Sequence, residues 1–160
     1  VPVVETGTGN CHVYVHESAD ADMARSIVLN AKCRRYGVCN AAETLLVDRS
    51  VAHSFLPQTM AALACEGVLL HCDDVAYGCA AAAAEAVGSE GFEMRFDRAD
   101  EDDWATEYLA MELAVRVVDS IEEAIDHIRA YSSGHTEAIC TPSLAWRTRS
   151  ARAWTPPPSP

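Results

Sequence analysis

Short apolar segments alternate along this chain with longer segments of helical spacing, and this alternation limits the fold most. Stretches at 11–15, 43–48 and 112–118 are strand-like. In the helical stretches apolar side chains recur every three or four residues, as Met23, Ile27 and Ala31 do. Because strands that alternate with helices pair side by side, the pattern predicts an α/β fold with a mostly parallel sheet flanked by helices.

Other segments are less regular. Residues 92–96 are interpreted as a further strand and the acidic run 97–103 as a solvated loop, and a helix is expected to be capped by Ser50. From residue 143 to residue 160 the chain has three arginines, no acidic residue and a proline-rich end. That composition predicts a disordered tail of residues 143–160 after a domain of residues 1–142.

The charge of the chain opposes two classes of partner. Its formal net charge of −12 disfavours binding to nucleic acid and to anionic membrane surfaces. No apolar run approaches the length of a membrane span, and residues 1–5 lack the basic residues of a signal peptide. We therefore expect a cytoplasmic protein with neither a nucleic-acid nor a membrane partner.

The seven cysteines are odd in number, which predicts free thiols in a reducing compartment. Their spacing does not predict a metal site, because no C-x-x-C occurs. The adjacent pairs Cys11-His12 and His71-Cys72 would point to opposite faces of a strand, so neither pair readily chelates one ion.

One cysteine lies in a setting that suggests chemistry. Lys32, Arg34 and Arg35 stand at the predicted end of a helix, a turn with Gly37 follows, and Cys39 precedes a strand. Cationic neighbours lower the pKa of a thiol, and a thiolate can attack an acyl carbon to form a thioester. The alternative is that Cys39 is a small buried apolar residue.

Four segments, in order, resemble γ-glutamyl phosphate reductase, also called glutamate-5-semialdehyde dehydrogenase, of the aldehyde dehydrogenase superfamily. These segments are VVETGTGNCHVYV at 3–15, CNAAETLLV at 39–47, DWATEYL with LAVRVVDS at 103–120, and GHTEAI at 134–139. The resemblance implies an aldehyde-dehydrogenase-like catalytic domain. It also implies that the chain is truncated, with a nucleotide-binding domain lying upstream.

The resemblance implies NADPH-dependent reduction of L-glutamyl 5-phosphate to L-glutamate 5-semialdehyde with release of phosphate, in proline biosynthesis. Cys39 would be the nucleophile, and its backbone N–H an oxyanion donor beside Asn40, which shapes the turn. The NADPH site would lie mostly outside this chain, so the chain alone is expected to be inactive. The alternative is a non-catalytic remnant that acts only by self-association.

Further site residues follow from the same resemblance. Glu107 aligns with a glutamate that binds the nicotinamide-side ribose, with a surface acid as the alternative. Arg34 and Arg35 would hold the substrate phosphate or carboxylates, with capping of a helix end as the alternative. His135 would line the site, whereas Glu5 is expected to have no catalytic role. Association into a homo-oligomer is left open.

Overall fold

The computed structural model describes residues 7–88 and 92–154, and within them six strands form one sheet. The strands are β1 Cys11–Val15, β2 Ala42–Asp48, β3 Leu69–Cys72, β4 Phe96–Arg98, β5 Glu112–Val118 and β6 Glu137–Cys140. Their order is β4-β3-β5-β2-β1-β6, and every neighbouring pair is parallel. The predicted α/β fold with a mostly parallel sheet is confirmed.

Five helices cover the two faces of this sheet. They are α1 Ala21–Cys33, α2 Arg49–Cys65, α3 Asp74–Val87, α4 Ile121–Tyr131 and α5 Leu144–Trp154. The first three pack on one face over the larger apolar core, and α4 and α5 pack on the other face over a smaller one. Leu45 and Leu46 of β2 are both buried but belong to different cores, because successive side chains of a strand point to opposite faces.

Helix α1 confirms the helix that the spacing of Met23 and Ile27 predicted. Met23 is 64% exposed and Ile27 38% exposed, whereas Ala24, Val28 and Lys32 are buried. Lys32 lies in the interior, where it contacts a buried carboxylate. The buried stripe of α1 therefore runs beside the spacing that revealed the helix.

The N-termini of α4 and α2 are capped by a hydroxyl and a carboxylate side chain, respectively. Ser120 caps α4, since its Oγ accepts from the backbone N–H of Glu123 at 3.2 Å. Helix α2 follows β2 without a loop, so Asp48, the last strand residue, is its cap and accepts from Ser50 N at 3.0 Å. The predicted cap at Ser50 is therefore wrong.

The strand expected at 92–96 lies later in the chain than predicted. In the pairing of β4 with β3, Phe96 lies opposite Leu70 and Arg98 opposite Cys72. Strand β4 therefore includes the first two residues of the acidic run. Asp97 is exposed, as a charged residue can be on the edge strand of a sheet. The remainder of the run includes a 3₁₀ turn at Asp102–Ala105.

Residues 144–154 form α5, where the sequence predicts a disordered tail. The ring of Trp146 lies 5.2 Å from that of His16, and Arg129 Nε donates to the carbonyl of Ala153 at 3.3 Å. Trp154 also packs against the smaller core. These tertiary contacts stabilise a helix without a clear apolar period, so the prediction is corrected here; residues 155–160 lie outside the described ranges. None of the helices in 7–88 and 92–154 has the length and apolar character of a membrane span.

Candidate functional site

Three chain segments meet at the amino-terminal edge of the sheet. The loop at 34–41 enters β2, the turn at 132–136 enters β6, and β1 begins at Cys11. Because β1 lies between β2 and β6 in a parallel sheet, the starts of these strands are neighbours. We call Gly9, Cys11, Cys39 and His135 the amino-edge site.

Cys39 is exposed, and its backbone contacts the start of β1 and the residues before it. Its carbonyl oxygen accepts a hydrogen bond from the Sγ of Cys11 at 3.2 Å. A Cβ on Gly9 would overlap that oxygen and stand 2.8 Å from the Cys39 carbonyl carbon, so only glycine allows this approach. The exposure of Cys39 contradicts the alternative that it is a buried apolar residue.

His135 reaches the same edge from the turn before β6. Its Nδ1 lies 3.8 Å from the Sγ of Cys11 and 2.8 Å from the Oγ1 of Thr136. The imidazole is exposed, so it is open to a ligand. It also borders a cavity of about 680 Å³ between this turn, α4 and α5. The structure thus brings His135 close to Cys39, while its part in substrate binding stays a prediction.

The other cysteines differ from Cys39 in their surroundings. All seven are free, and of these only Cys39 and Cys65 are exposed. Burial raises the pKa of the Cys11 thiol to about 11, that of Cys72 to about 12 and that of Cys140 to about 11. Those three remain protonated at neutral pH, and burial also raises the pKa of Cys79 and of the partly exposed Cys33. Cys39 and Cys65 are the two exposed thiols.

Arg34, Arg35 and Asn40 line one pocket of about 290 Å³, and Cys39 itself is not part of that lining. Two arginines in one pocket suit a phosphate or a carboxylate. Arg34 is also the residue that ends α1, where a cation interacts favourably with the helix dipole. The geometry is compatible with both interpretations, so the ligand-binding roles of these three residues stay predictions.

A buried ion pair that the sequence analysis did not single out closes the base of the loop. Lys32 Nζ lies 2.6 Å from Glu43 Oε2, and both side chains are 0% exposed. Burial raises the pKa of Glu43 and lowers that of Lys32, and the contact between them opposes both shifts. Lys32 precedes the loop of Cys39 and Glu43 follows it, so the pair joins the two ends. The available signal was Glu43, an acid at the start of the predicted strand, before its apolar residues.

Glu107 lies in the segment that leads to β5, and this segment runs beside the loop of Cys39. Leu109 N donates to Glu43 Oε1 at 3.3 Å, and Leu109 O is 4.0 Å from where a Cβ on Gly37 would stand. Leu109 has φ +50°, an uncommon backbone for leucine that this bond helps to hold. Glu107 itself is half-buried, and its cofactor role stays a prediction. Glu5 lies outside the described residues.

Within the two described ranges, no three His, Cys, Asp or Glu side chains come together as metal ligands would. The amino-edge site presents the exposed thiol of Cys39 on the loop before β2, and Arg34 and Arg35 lie on the same loop. Such a set can attack and hold an electrophilic carbon bearing an anionic group.

Solved structures define the class of the fold. A Delta-pyrroline-5-carboxylate dehydrogenase from Mycobacterium tuberculosis, bound with NAD and cobalamin, superposes with a TM-score of 0.61 at 19% identity, covering 91% of this chain and 33% of that one. At such low identity the likeness concerns the fold alone. The chain thus has an aldehyde-dehydrogenase-like α/β fold.

Proteins with higher sequence identity to this chain share one name. A gamma-glutamyl phosphate reductase from Thermotoga maritima has a TM-score of 0.76 at 42% identity, with 93% of this chain and 33% of that chain covered. The gamma-glutamyl phosphate reductase of Thermobifida fusca (strain YX) is 55% identical over 145 residues, which are 91% of this chain and 32% of the relative. The homologues of this chain are therefore gamma-glutamyl phosphate reductases, as the resemblance predicted.

The match is partial in length. The chain spans about a third of the curated relatives that it matches, and no family model matches it. The homology does not favour the alternative of a remnant that acts only by self-association.

Proposed function

We propose that this chain carries the acyl-accepting part of a γ-glutamyl phosphate reductase, with Cys39 as the nucleophile. The whole reaction is the reduction of L-glutamyl 5-phosphate to L-glutamate 5-semialdehyde with release of phosphate. The observation that carries the proposal is the exposed Cys39, whose carbonyl contacts Gly9 and Cys11, in a chain that is 55% identical over 145 residues to one gamma-glutamyl phosphate reductase. We place the reaction in the cytoplasm, where free cysteines stay reduced.

The proposed first step is attack of the Cys39 thiolate on the acyl carbon of the substrate. A sulfur–carbon bond forms while the bond to the phosphate oxygen breaks, and inorganic phosphate leaves with the bonding electrons. The backbone N–H of Cys39 donates to the oxyanion, and the side chain of Asn40 shapes the turn that presents it. The product of this step is a thioester on Cys39.

The second step converts the thioester to the aldehyde. Bound NADPH would supply the hydride that reduces the thioester carbon. The resulting tetrahedral oxyanion on Cys39 would collapse and expel the thiolate, which releases the semialdehyde and restores the nucleophile. A carboxylate such as that of Glu107 suits two ribose hydroxyls, so this residue would hold the nicotinamide end.

The fit of the chain to the rest of the dinucleotide is limited. In the described ranges, the segments that join a strand to the next helix contain no glycine, so none of them is a glycine-rich phosphate-binding turn. We therefore assign only Glu107 to the cofactor. The preference for NADPH is taken from the resemblance and is part of the proposal.

The substrate is recognised through its anionic groups. Arg34 and Arg35 line a pocket formed by the loop that carries Cys39, and their guanidinium forks would hold the phosphate or the α-carboxylate. The partner is thus a small molecule. Whether the protein also forms a homo-oligomer can be measured by light scattering on the purified protein.

The test uses acetyl phosphate as an acyl-phosphate probe on the full chain. We expect a thioester, sensitive to hydroxylamine, that peptide mass spectrometry locates on Cys39. The internal control is Cys65, the other exposed thiol, and the matched variant is Cys39→Ser. Acyl groups spread equally over Cys39 and Cys65, or an unchanged total in the variant, would overturn the proposal.

A further inference from the structure

We infer that Cys11 is a positioning residue for the acyl-transfer step, because its thiol holds the Cys39 peptide in the orientation in which Cys39 accepts the acyl group. The inference deepens the proposed function and rests on it. Cys11 touches neither substrate nor cofactor in this account, and it acts only through Cys39.

The first support is that two independent contacts meet on one carbonyl group. The thiol of Cys11 donates to Cys39 O at 3.2 Å, and Gly9 leaves no room for a Cβ against the same carbonyl. A contact this close excludes most other orientations of the peptide. A Cβ on Gly9 would also stand 2.9 Å from the Cα of Cys39, so the carbonyl and the Cα are both held in place. The bonds to Cβ, which carries Sγ, and to the backbone N both extend from that Cα, so their range of directions is restricted.

The second support is the irregular pairing of β1 with β2. Cys11 is paired with Ala42 and His12 with Thr44, so β2 has one extra residue, Glu43, beside Cys11. Such an extra residue bends its strand and changes the local twist of the pair. Here it accompanies a thiol that reaches across to the loop before β2 and is itself only 2% exposed.

The third support is the protonation of Cys11. Burial raises the pKa of its thiol to about 11, so the sulfur keeps its proton at neutral pH and can donate it to the carbonyl. On its other side the sulfur lies 3.8 Å from Nδ1 of His135. Cys11 therefore also ties the turn before β6 to the loop that bears Cys39.

The experiment compares two reactions of Cys39 in the full chain. Acylation by acetyl phosphate needs the oriented N–H that stabilises the oxyanion, whereas alkylation by iodoacetamide forms no oxyanion. Cys11→Ala should lower the acylation rate by about two- to tenfold, the factor that matches one net hydrogen bond, and leave the alkylation rate within about twofold. Cys11→Ser keeps a donor and should restore most of the acylation rate.

The matched control is Cys140→Ala, which deletes a buried thiol at the carboxyl-terminal end of β6, away from Cys39. It should leave both rates as in the wild type. Should Cys11→Ala fail to fold, Cys11→Val fills the space without a donor and provides the same comparison.

Three results would overturn the inference. They are an unchanged acylation rate in Cys11→Ala, an equal fall of acylation and alkylation, and an equal effect of Cys140→Ala. A wild-type chain that takes no acyl group on Cys39 would instead refute the proposed function, and the inference with it.

Discussion

Breaking the buried pair at the base of the loop should have a large effect on stability. In Lys32→Met the apolar stem of the side chain is kept and the ammonium is lost. Glu43 is then left as a carboxylate that is 0% exposed, with Leu109 N at 3.3 Å as its remaining donor. A buried charge without its partner is strongly destabilising, because neither water nor a counter-ion replaces the lost contact.

The magnitude follows from this burial. Removal of one partner from a fully buried ion pair costs about 3–5 kcal/mol in the free energy of unfolding. That loss is a large share of the roughly 5–15 kcal/mol by which native proteins are stable. For a chain of 160 residues it corresponds to a fall in Tm of about 6–20 °C.

The loss should also depend on pH. Burial already raises the pKa of Glu43, and the contact with Lys32 counters that shift, so the pKa rises further in the variant. The folded variant then binds more protons than the unfolded chain, whose glutamate has a pKa of about 4.3, and its stability therefore falls as pH rises. The deficit should be largest at neutral pH and should shrink as the pH is lowered toward about 4.3.

The assay is chemical denaturation of the wild type and variants, followed by circular dichroism. Arg25→Met is the matched control, since Arg25 forms an ion pair with Asp22, whose side chain is 89% exposed, on the same helix. We expect it to cost about 1 kcal/mol or less. The double variant Lys32→Met with Glu43→Gln keeps an acceptor for Leu109 N without a buried charge, and should regain about half of the loss or more.

Two results would refute this reasoning. One is a Lys32→Met variant no less stable than Arg25→Met. The other is a double variant that is no more stable than the single one, which would mean that an unpaired carboxylate is not the cause.

Three further predictions concern other parts of the chain. Burial lowers the pKa of His127 to about 3, so the folded chain resists its protonation. When the pH is lowered from about 6.5 to 5, the free energy of unfolding of the wild type should fall by about 2 kcal/mol more than that of His127→Gln, as measured by denaturant titration. In the same titrations, Trp146→Ala should lower the free energy of unfolding by about 2 kcal/mol, because its ring packs near that of His16. Leu144→Ala should lower it by less than about 0.5 kcal/mol, because Leu144 is 72% exposed. Because the chain spans 32% of a reductase, it should form the Cys39 adduct without sustained NADP-dependent turnover at 340 nm, and turnover that Cys39→Ser abolishes would contradict this.

Local signals in the sequence determined the order of elements and several of their boundaries. Strands β1, β2 and β5 are apolar runs of strand length, and Ser120 with Glu123 begins α4 by bonds between residues a few positions apart. Such bonds depend on neighbours in the chain, so a pattern of residues suffices to predict them. The turn before β2, with Cys39 in it, was found in the same way.

The surroundings of Cys39 were decided by the tertiary structure alone. Cys11 is 28 residues from Cys39 and 124 from His135, and they meet only because β1 lies between β2 and β6. Helix α5 likewise forms on contacts with distant residues such as His16 rather than on its own periodicity. The order of strands in a sheet depends on the packing of whole elements, which no local pattern of residues contains.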